Sequence, residues 1–297
     1  MSMSAQEADR GIRILQERLD ACGAVLVGAG AGLSAAAGLS YFDGEAFRKY
    51  YPDMYRLGWH YPYELVGRRD DEWTRGRKWA YWATHIHYVR DIFPAAELYR
   101  KLLRVLDGHD WFVVTSNCDR QFFRNGFPME RVFEYQGNYD NMGCSAHCTT
   151  HTWDDHDALQ RVLANIDHET FECREEGIPK CPYCGADAEI CFRGEDWQQN
   201  ADRYVRFLQQ ARDRKLLLIE LGVGSNTPGV IRWPFENIAA EFPDAFLVRV
   251  NTGYVQYPDR TGFPQVPGSL AGKAEAIDMD AAAVIGALAA RSAFPGE

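Results

Sequence analysis

Short apolar runs recur along this chain, spaced widely enough for one or more helices to fit between them. Ala24-Val-Leu-Val27, Trp111-Phe-Val-Val-Thr115, Val132-Phe-Glu-Tyr135, Leu216-Leu-Leu-Ile219 and Phe246-Leu-Val-Arg-Val250 are too short for helices, and their continuity predicts strands covered on both faces. Between them the pattern turns helical. Ile12, Leu15 and Leu19 share one face of a helix over 5–20, and helical patterning also covers 95–107, 196–214 and 230–241. Strands alternating with helices predict an α/β fold, a parallel sheet with helices on both faces. Ligands of such sheets bind beyond the carboxyl ends of the strands, so the segments that follow each run are where chemistry is expected.

Two stretches break the alternation. Residues 44–95 are crowded with Tyr and Trp, from Tyr50 and Tyr51 through Trp59, Trp73, Trp79 and Trp82 to Tyr88, and turn helical after Thr74. Residues 138–194 carry two cysteine pairs and a polar, partly helical middle. The predicted organisation is a Rossmann-like domain assembled from 1–43, 96–137 and 195–297, interrupted by an aromatic-rich helical insert (44–95) and a small zinc-binding module (138–194). The aromatic residues read first as the core of the insert and second as a lid or docking surface over a ligand. His85 and His87, two apart, fall on different faces of a helix, which argues against a shared metal.

The cysteine spacing is specific. Cys144 and Cys148 are four apart, Cys181 and Cys184 three apart, and Pro182 and Gly185 turn the second pair. Four thiolates suit one closed, tetrahedral, structural Zn²⁺ with no position left for water, with His147 or His151 as alternates for one thiolate. At 297 residues and 46% apolar content the chain can bury one large core or two modest ones. A formal charge of −10, with basic residues dispersed among acids, argues against a nucleic-acid partner. Residues 1–10 lack the basic and then apolar pattern of a secretory leader, and glycines and Ser34 break the apolar stretch 24–39. The expected protein has no membrane span and is cytoplasmic.

Gly28-Ala29-Gly30-Ala31-Gly32-Leu33-Ser34 follows the first run, where glycines permit close backbone approach to a pyrophosphate and the alanine-rich stretch can open a helix. The spacing departs from the dinucleotide fingerprint, since Leu33 stands at the place of its third glycine. Asn117 and Asp119 follow the second run, and an amide there can donate and accept without adding charge. Gln136-Gly137 follows the third run, Phe192-Arg193-Gly194-Glu195 lies beyond the cysteines, Gly222-Val-Gly224-Ser225-Asn226 follows the fourth run, and Asn251 the fifth. Cys118 reads as a packed thiol, and Arg193 as either a functional cation or a surface residue pairing with Glu195 or Asp196.

This ordered series resembles the sirtuins, and Gln136, Arg193 and the run 222–229 resemble their class M branch, often encoded beside macrodomain proteins. The resemblance covers most of the chain outside 44–95. It implies NAD as co-substrate, held by Gly28, Ala29, Gly30, Ser34, Asn117, Asp119 and Gln136, with Gly222, Gly224, Ser225, Asn226 and Asn251 on the adenosine half. Asn117, Asp119, Gln136 and Arg193 take catalytic positions. Sirtuin deacylases carry histidine where this chain has Gln136, and an amide has no titration near neutrality, so the general base is lost. Where they carry an arginine, this chain has Asp43. The implied activity is protein mono-ADP-ribosyl transfer with release of nicotinamide. The implied acceptor is a lipoyl-bearing, glycine-cleavage H-like carrier protein, with a macrodomain hydrolase encoded nearby. A protein-lysine deacylase, an NAD glycohydrolase and a catalytically silent NAD sensor are the alternatives.

Overall fold

The computed structural model describes residues 5–65, 73–252 and 265–292, so residues 66–72 of the aromatic insert lie outside it. In chain order the strands are β1 (Ala24–Ala29), β2 (Trp111–Thr115) and β3 (Val132–Glu134), then β4 (Asn141–Cys144), β5 (Trp153–Asp154), β6 (Ile166–Asp167), β7 (Glu172–Cys173) and β8 (Ala188–Ile190). β9 (Leu216–Leu221), β10 (Phe246–Asn251) and β11 (Ala274–Asp278) follow. The main sheet runs β11-β10-β9-β1-β2-β3, all parallel. The strand order reverses between β1 and β9, which opens a crevice at their carboxyl ends.

Each predicted run lies within a strand or extends one residue past it. β1 and β9 are buried along their whole length, which is why they read as unbroken apolar runs. β9 extends two residues past the predicted end, through Glu220, a charge that interrupts the run in sequence. In the sheet Glu220 stands beside Arg249 of β10, with bonds of 2.7 and 2.9 Å from Nε and Nη2. Glu236 accepts from the same guanidinium at 2.8 Å, and the Gln265 carbonyl at 2.7 Å. The buried charges therefore lie paired and hydrogen-bonded. β11 was not anticipated, because Ala-Glu-Ala-Ile-Asp is a half-exposed edge strand with one fully buried residue, Ile277.

Side chains alternate between two cores. Val25, Val27 and Ala29 face the helices Ala5–Ala21, Glu97–Val105 and Ala281–Ser292 through Leu15, Leu19, Leu102, Val284 and Leu288. Ala24 and Leu26 face Trp197–Ala211 and Arg232–Glu241 through Phe207, Phe235 and Ala239. The helix Arg232–Glu241 sits directly on β1: a Cβ at Gly28 would lie 2.7 Å from Phe235.

The aromatic insert and the cysteine-bearing stretch do not have separate cores. Phe47, Tyr51, Trp79 and Tyr81 from the first pack with Tyr139, Met142, Leu159, Val162, Phe171 and Ile178 from the second in a single cluster. The helix Arg75–Ile86 widens into a π-helical turn, His87–Ile92, and Arg90 in that turn donates to the Tyr139 carbonyl and, at 2.5 Å, to buried Asp155. A second lobe results, built from both excursions. Among the described residues no helix is long and apolar enough to cross a membrane.

Candidate functional site

The crevice begins where β1 ends. Gly30 N–H donates to the Leu221 carbonyl at 3.0 Å and Gly32 N–H to the Gly222 carbonyl at 2.8 Å, stitching the loop after β1 to the loop after β9. A Cβ at Gly30 would lie 2.7 Å from the Gly222 oxygen, and one at Gly32 2.7 Å from the Gly222 Cα. These glycines allow two backbones to meet. Gly28 and Ala29 lie inside β1 and Gly30 just past it, while the residues lining the pocket from this segment begin at Ala31. The helix that follows, Ala31–Ala36, is six residues long.

That helix carries Ser34 to the centre of a buried polar cluster. Ser34 Oγ donates to Asp119 Oδ2 at 2.5 Å and accepts from Asn117 Nδ2 at 3.0 Å, with the Tyr99 hydroxyl at 2.9 Å. If Tyr99 donates, one hydrogen and two lone pairs are used and the hydroxyl is saturated. Asn117 Nδ2 also donates to the Gly30 carbonyl at 3.0 Å, so both amide hydrogens are spent and the carbonyl oxygen is what Asn117 retains for a ligand. Burial pushes the Asp119 carboxyl above its ordinary value, while the Ser34 hydroxyl and the Gln121 amide hold it down.

Gln136 sits in a turn just past β3. Gly137 N–H closes it on the Glu134 carbonyl at 2.8 Å, and Asn138 N–H ties it to the Phe192 carbonyl at 2.7 Å. Gly137 has φ +85°, and a Cβ there would fall 1.7 Å from the Phe192 oxygen, so the turn admits only glycine. Beneath it, burial raises the Glu134 carboxyl to about 7, opposed by Arg120 and Asn138.

Together these segments enclose a pocket of about 360 Å³, within the range of small-molecule sites. Gly32, Ser34, Asn117, Asp119 and Gln136 line one part of it, and Gly222, Gly224, Ser225, Asn226 and Asn251 another. Tyr41, Phe42, Tyr63 and Tyr139 also line it and were missed by the sequence reading. Their only signal is position, Tyr41 and Phe42 just beyond the glycine segment and Tyr139 just beyond Gln136. Tyr63 belongs to the aromatic insert, and Asn226 Nδ2 meets its hydroxyl at 3.3 Å, whereas most of the insert's buried aromatics pack in the second core. Cys118 lines the pocket too, and burial drives its thiol well above the ordinary range, which suits a packed thiol rather than a nucleophile.

Arg193 is exposed and not among the residues lining this pocket, with its guanidinium 4.3 Å from the Trp197 ring centre. Glu195, offered as its partner, instead bonds His151 at 2.8 Å. Asp43 caps the helix Gly44–Tyr50, accepting from Ala46 N–H at 2.9 Å, a local structural use for the acid that stands where sirtuin deacylases have arginine.

The four cysteines Cys144, Cys148, Cys181 and Cys184 bring their sulfurs within 4.8 Å of one another, and neither His147 nor His151 joins them. Cys144 and Cys184 are 3.6 Å apart and Cys148 and Cys181 3.7 Å. Zinc–sulfur bonds of about 2.3 Å in a tetrahedron require sulfur–sulfur edges of about 3.8 Å, so the donor set fits a closed zinc site.

No protein-family model matches this chain. A Fusarium oxysporum f. sp. cubense protein named "Probable bifunctional ADP-ribose hydrolase/ADP-ribosyltransferase" is 33% identical over 82% of this chain. This chain spans only 42% of that protein's length. A Staphylococcus aureus protein named "Protein ADP-ribosyltransferase" is 27% identical over 87% of this chain and 84% of its own. A Sir2 homologue solved as its NAD complex superposes with a TM-score of 0.58 at 15% identity, covering 95% of this chain and 93% of the other. A structure solved for the basis of sirtuin substrate affinity gives 0.55 at 17%, over 95% and 99%. The fold is that of the sirtuins.

Proposed function

We propose that this sirtuin-fold chain is an NAD-dependent protein mono-ADP-ribosyltransferase that releases nicotinamide. The observation that carries the reading is Gln136 on the wall of the pocket shared by Asn117 and Asp119, a side chain that can bind hydroxyls but cannot take a proton. The two curated relatives named for ADP-ribosyl transfer support it.

NAD supplies an activated ribosyl carbon whose bond to nicotinamide breaks as the acceptor's bond forms. The chain's residues position and stabilise. The Asn117 carbonyl oxygen, left over once both amide hydrogens are spent, faces developing positive charge as a neutral acceptor. Asp119 stands behind Ser34 and fixes that amide's orientation through the hydroxyl. Gln136 holds ribose hydroxyls, and its turn, clamped to Phe192, keeps the amide in place. Gly222 to Asn226 and Asn251 receive the adenosine half. Arg193, next in sequence to the Phe192 that clamps the Gln136 turn, stacks on Trp197.

Loss of a general base typically costs roughly 100- to 10,000-fold, which penalises deacylation more than transfer to an acceptor that brings its own nucleophile. The acceptor is a protein, and the branch this chain resembles points to a lipoyl-bearing, H-like carrier whose modification a macrodomain hydrolase would reverse. Mass spectrometry tests the reading: with NAD, wild-type protein should add one ADP-ribose to such a carrier and leave acyl-lysine peptides intact, and Gln136→Ala should slow the addition. Robust removal of acyl groups by the wild type would sink the transferase assignment in favour of a deacylase.

A further inference from the structure

His85 is a wholly buried histidine that the proposed mechanism does not use, and it touches the wall of the pocket. The helix Arg75–Ile86 places its ring among Tyr51, Tyr81, Trp82 and Tyr139. Its two nitrogens meet two hydroxyls: Nδ1 lies 2.9 Å from Tyr51 Oη and Nε2 3.3 Å from Tyr139 Oη. Tyr139 lines the pocket, whereas Tyr51 is buried in the second core.

A neutral imidazole donates through one nitrogen and accepts through the other. Burial, with no ion pair to offset it among the described residues, holds the ring neutral, its pKa lowered to about 3. The polarity of the column then follows from its buried end. A hydroxyl loses more by burying an unmatched hydrogen than an unmatched lone pair, and Tyr51's hydroxyl meets Nδ1; it therefore donates there. Nδ1 accepts, so Nε2 carries the hydrogen and donates to Tyr139 Oη. Tyr139 is left with its own hydrogen to give forward, toward Tyr41 or a ligand.

The forward direction is identifiable. The Tyr139 hydroxyl is hydrogen-bonded to that of Tyr41 and lies near Cys118, and Tyr41 in turn lies near Asp119, all of them pocket-lining, which puts it on the Asn117–Asp119 side of the pocket; a ligand oxygen there would replace Tyr41 as the acceptor of its hydrogen or share it. Building on the NAD-dependent reading above, we propose that Tyr139 is a ligand-contacting residue that donates its hydroxyl hydrogen to an oxygen on the nicotinamide-ribose half of NAD, and that His85 is a positioning residue fixing Tyr139 as a donor. The contact is uncharged. It recognises an acceptor oxygen without placing a cation beside an oxocarbenium-like centre.

The test is NAD titration calorimetry together with nicotinamide release for wild type, Tyr139→Phe, His85→Phe, His85→Gln and the Tyr139→Phe/His85→Phe double variant, each checked for folding by circular dichroism. Losing one neutral hydrogen bond should cost roughly three- to tenfold in NAD affinity or in the release rate for Tyr139→Phe. His85→Phe should cost about as much, and the double variant no more than Tyr139→Phe alone, because His85 acts through that hydroxyl. His85→Gln should recover most of the loss, since its amide can accept from Tyr51 and donate to Tyr139. Additive effects, or a folded His85→Gln no better than His85→Phe, would show a packing role only and overturn the proposal. Tyr139→Phe that matches wild type in both readouts overturns it as well, even if His85→Phe fails to fold. A wild-type protein that binds no NAD overturns the functional reading and this inference together, a result distinct from the others.

Discussion

Asn117 illustrates how a side chain becomes directional only in context. Its sequence position allows both donation and acceptance; the Gly30 carbonyl and Ser34 hydroxyl consume the donors and leave one acceptor. Removing that acceptor should affect the reacting centre more than general affinity. Asn117→Ala is expected to abolish nicotinamide release while NAD affinity stays within roughly tenfold, measured by calorimetry beside a release assay; near-normal turnover would mean the crevice has been misread. His85 makes a prediction of opposite kind, about stability. Its ordinary pKa of 6.5 falls to about 3 on burial, so the unfolded chain binds the extra proton first. Its contribution to stability is complete above pH 6.5 and is lost as pH falls through that value toward 3. Glu134, raised to about 7, and Asp155, raised to about 6, pull the other way, so the readout is a difference: in urea denaturation between pH 7 and 4 the wild type should lose more stability with acid, or gain less, than His85→Gln, and an identical pH profile in the variant would remove His85 as a source.

Elements were legible in proportion to how uniformly they are buried. β1, β2 and β9 announce themselves because every residue in them is buried, while β11 hides because four of its five residues are only partly buried and two of those, Glu275 and Asp278, are charged. The pocket-lining residues were legible where a polar residue ends a buried strand, as at Asn251, or follows one, as at Asn117, Asp119 and Gln136. It was illegible at Tyr41, Tyr63 and Tyr139, because whether an aromatic side chain faces a core or a cavity depends on distant partners. Arg193 was left between two readings for the same reason: its stacking partner Trp197 is near in sequence, but exposure is a property of the whole surface. Two connecting elements carry the sharpest structural tests. Gly137→Ala sets a left-handed backbone against a Cβ at 1.7 Å from Phe192 oxygen, and should destabilise the protein by about 3 kcal/mol or more in chemical denaturation, detaching the Gln136 turn from Phe192. A tolerated alanine would mean the clamp does not exist. Cys181→Ser should lower metal content, from about one zinc per chain, and thermal stability together, read by atomic emission and calorimetry. Freshly purified wild type without stoichiometric metal would remove the zinc claim.

At the scale of the molecule, the sheet and the second lobe meet along the pocket, with Tyr63 and Tyr139 from the lobe and Asn117 and Asn226 from the sheet on its walls. The lobe's core is interleaved: Trp79 and Tyr81 come from one excursion of the chain, Leu159 and Phe171 from the other, and Arg90 bolts them at Asp155. A polypeptide spanning 138–194 alone, even loaded with zinc, should therefore give the poorly dispersed NMR spectrum of a half-core, while the full chain gives a folded one; a well-dispersed spectrum from the fragment would show that it is self-sufficient. The consequence reaches into heredity. A module encoded in one contiguous segment can be copied, lost or transplanted in a single event, but a lobe knitted from two separated segments can move only if both move together with the sheet that spaces them. Sheet and lobe are in that sense one heritable unit, and the cavity at their seam can change only by substitutions that both halves accept.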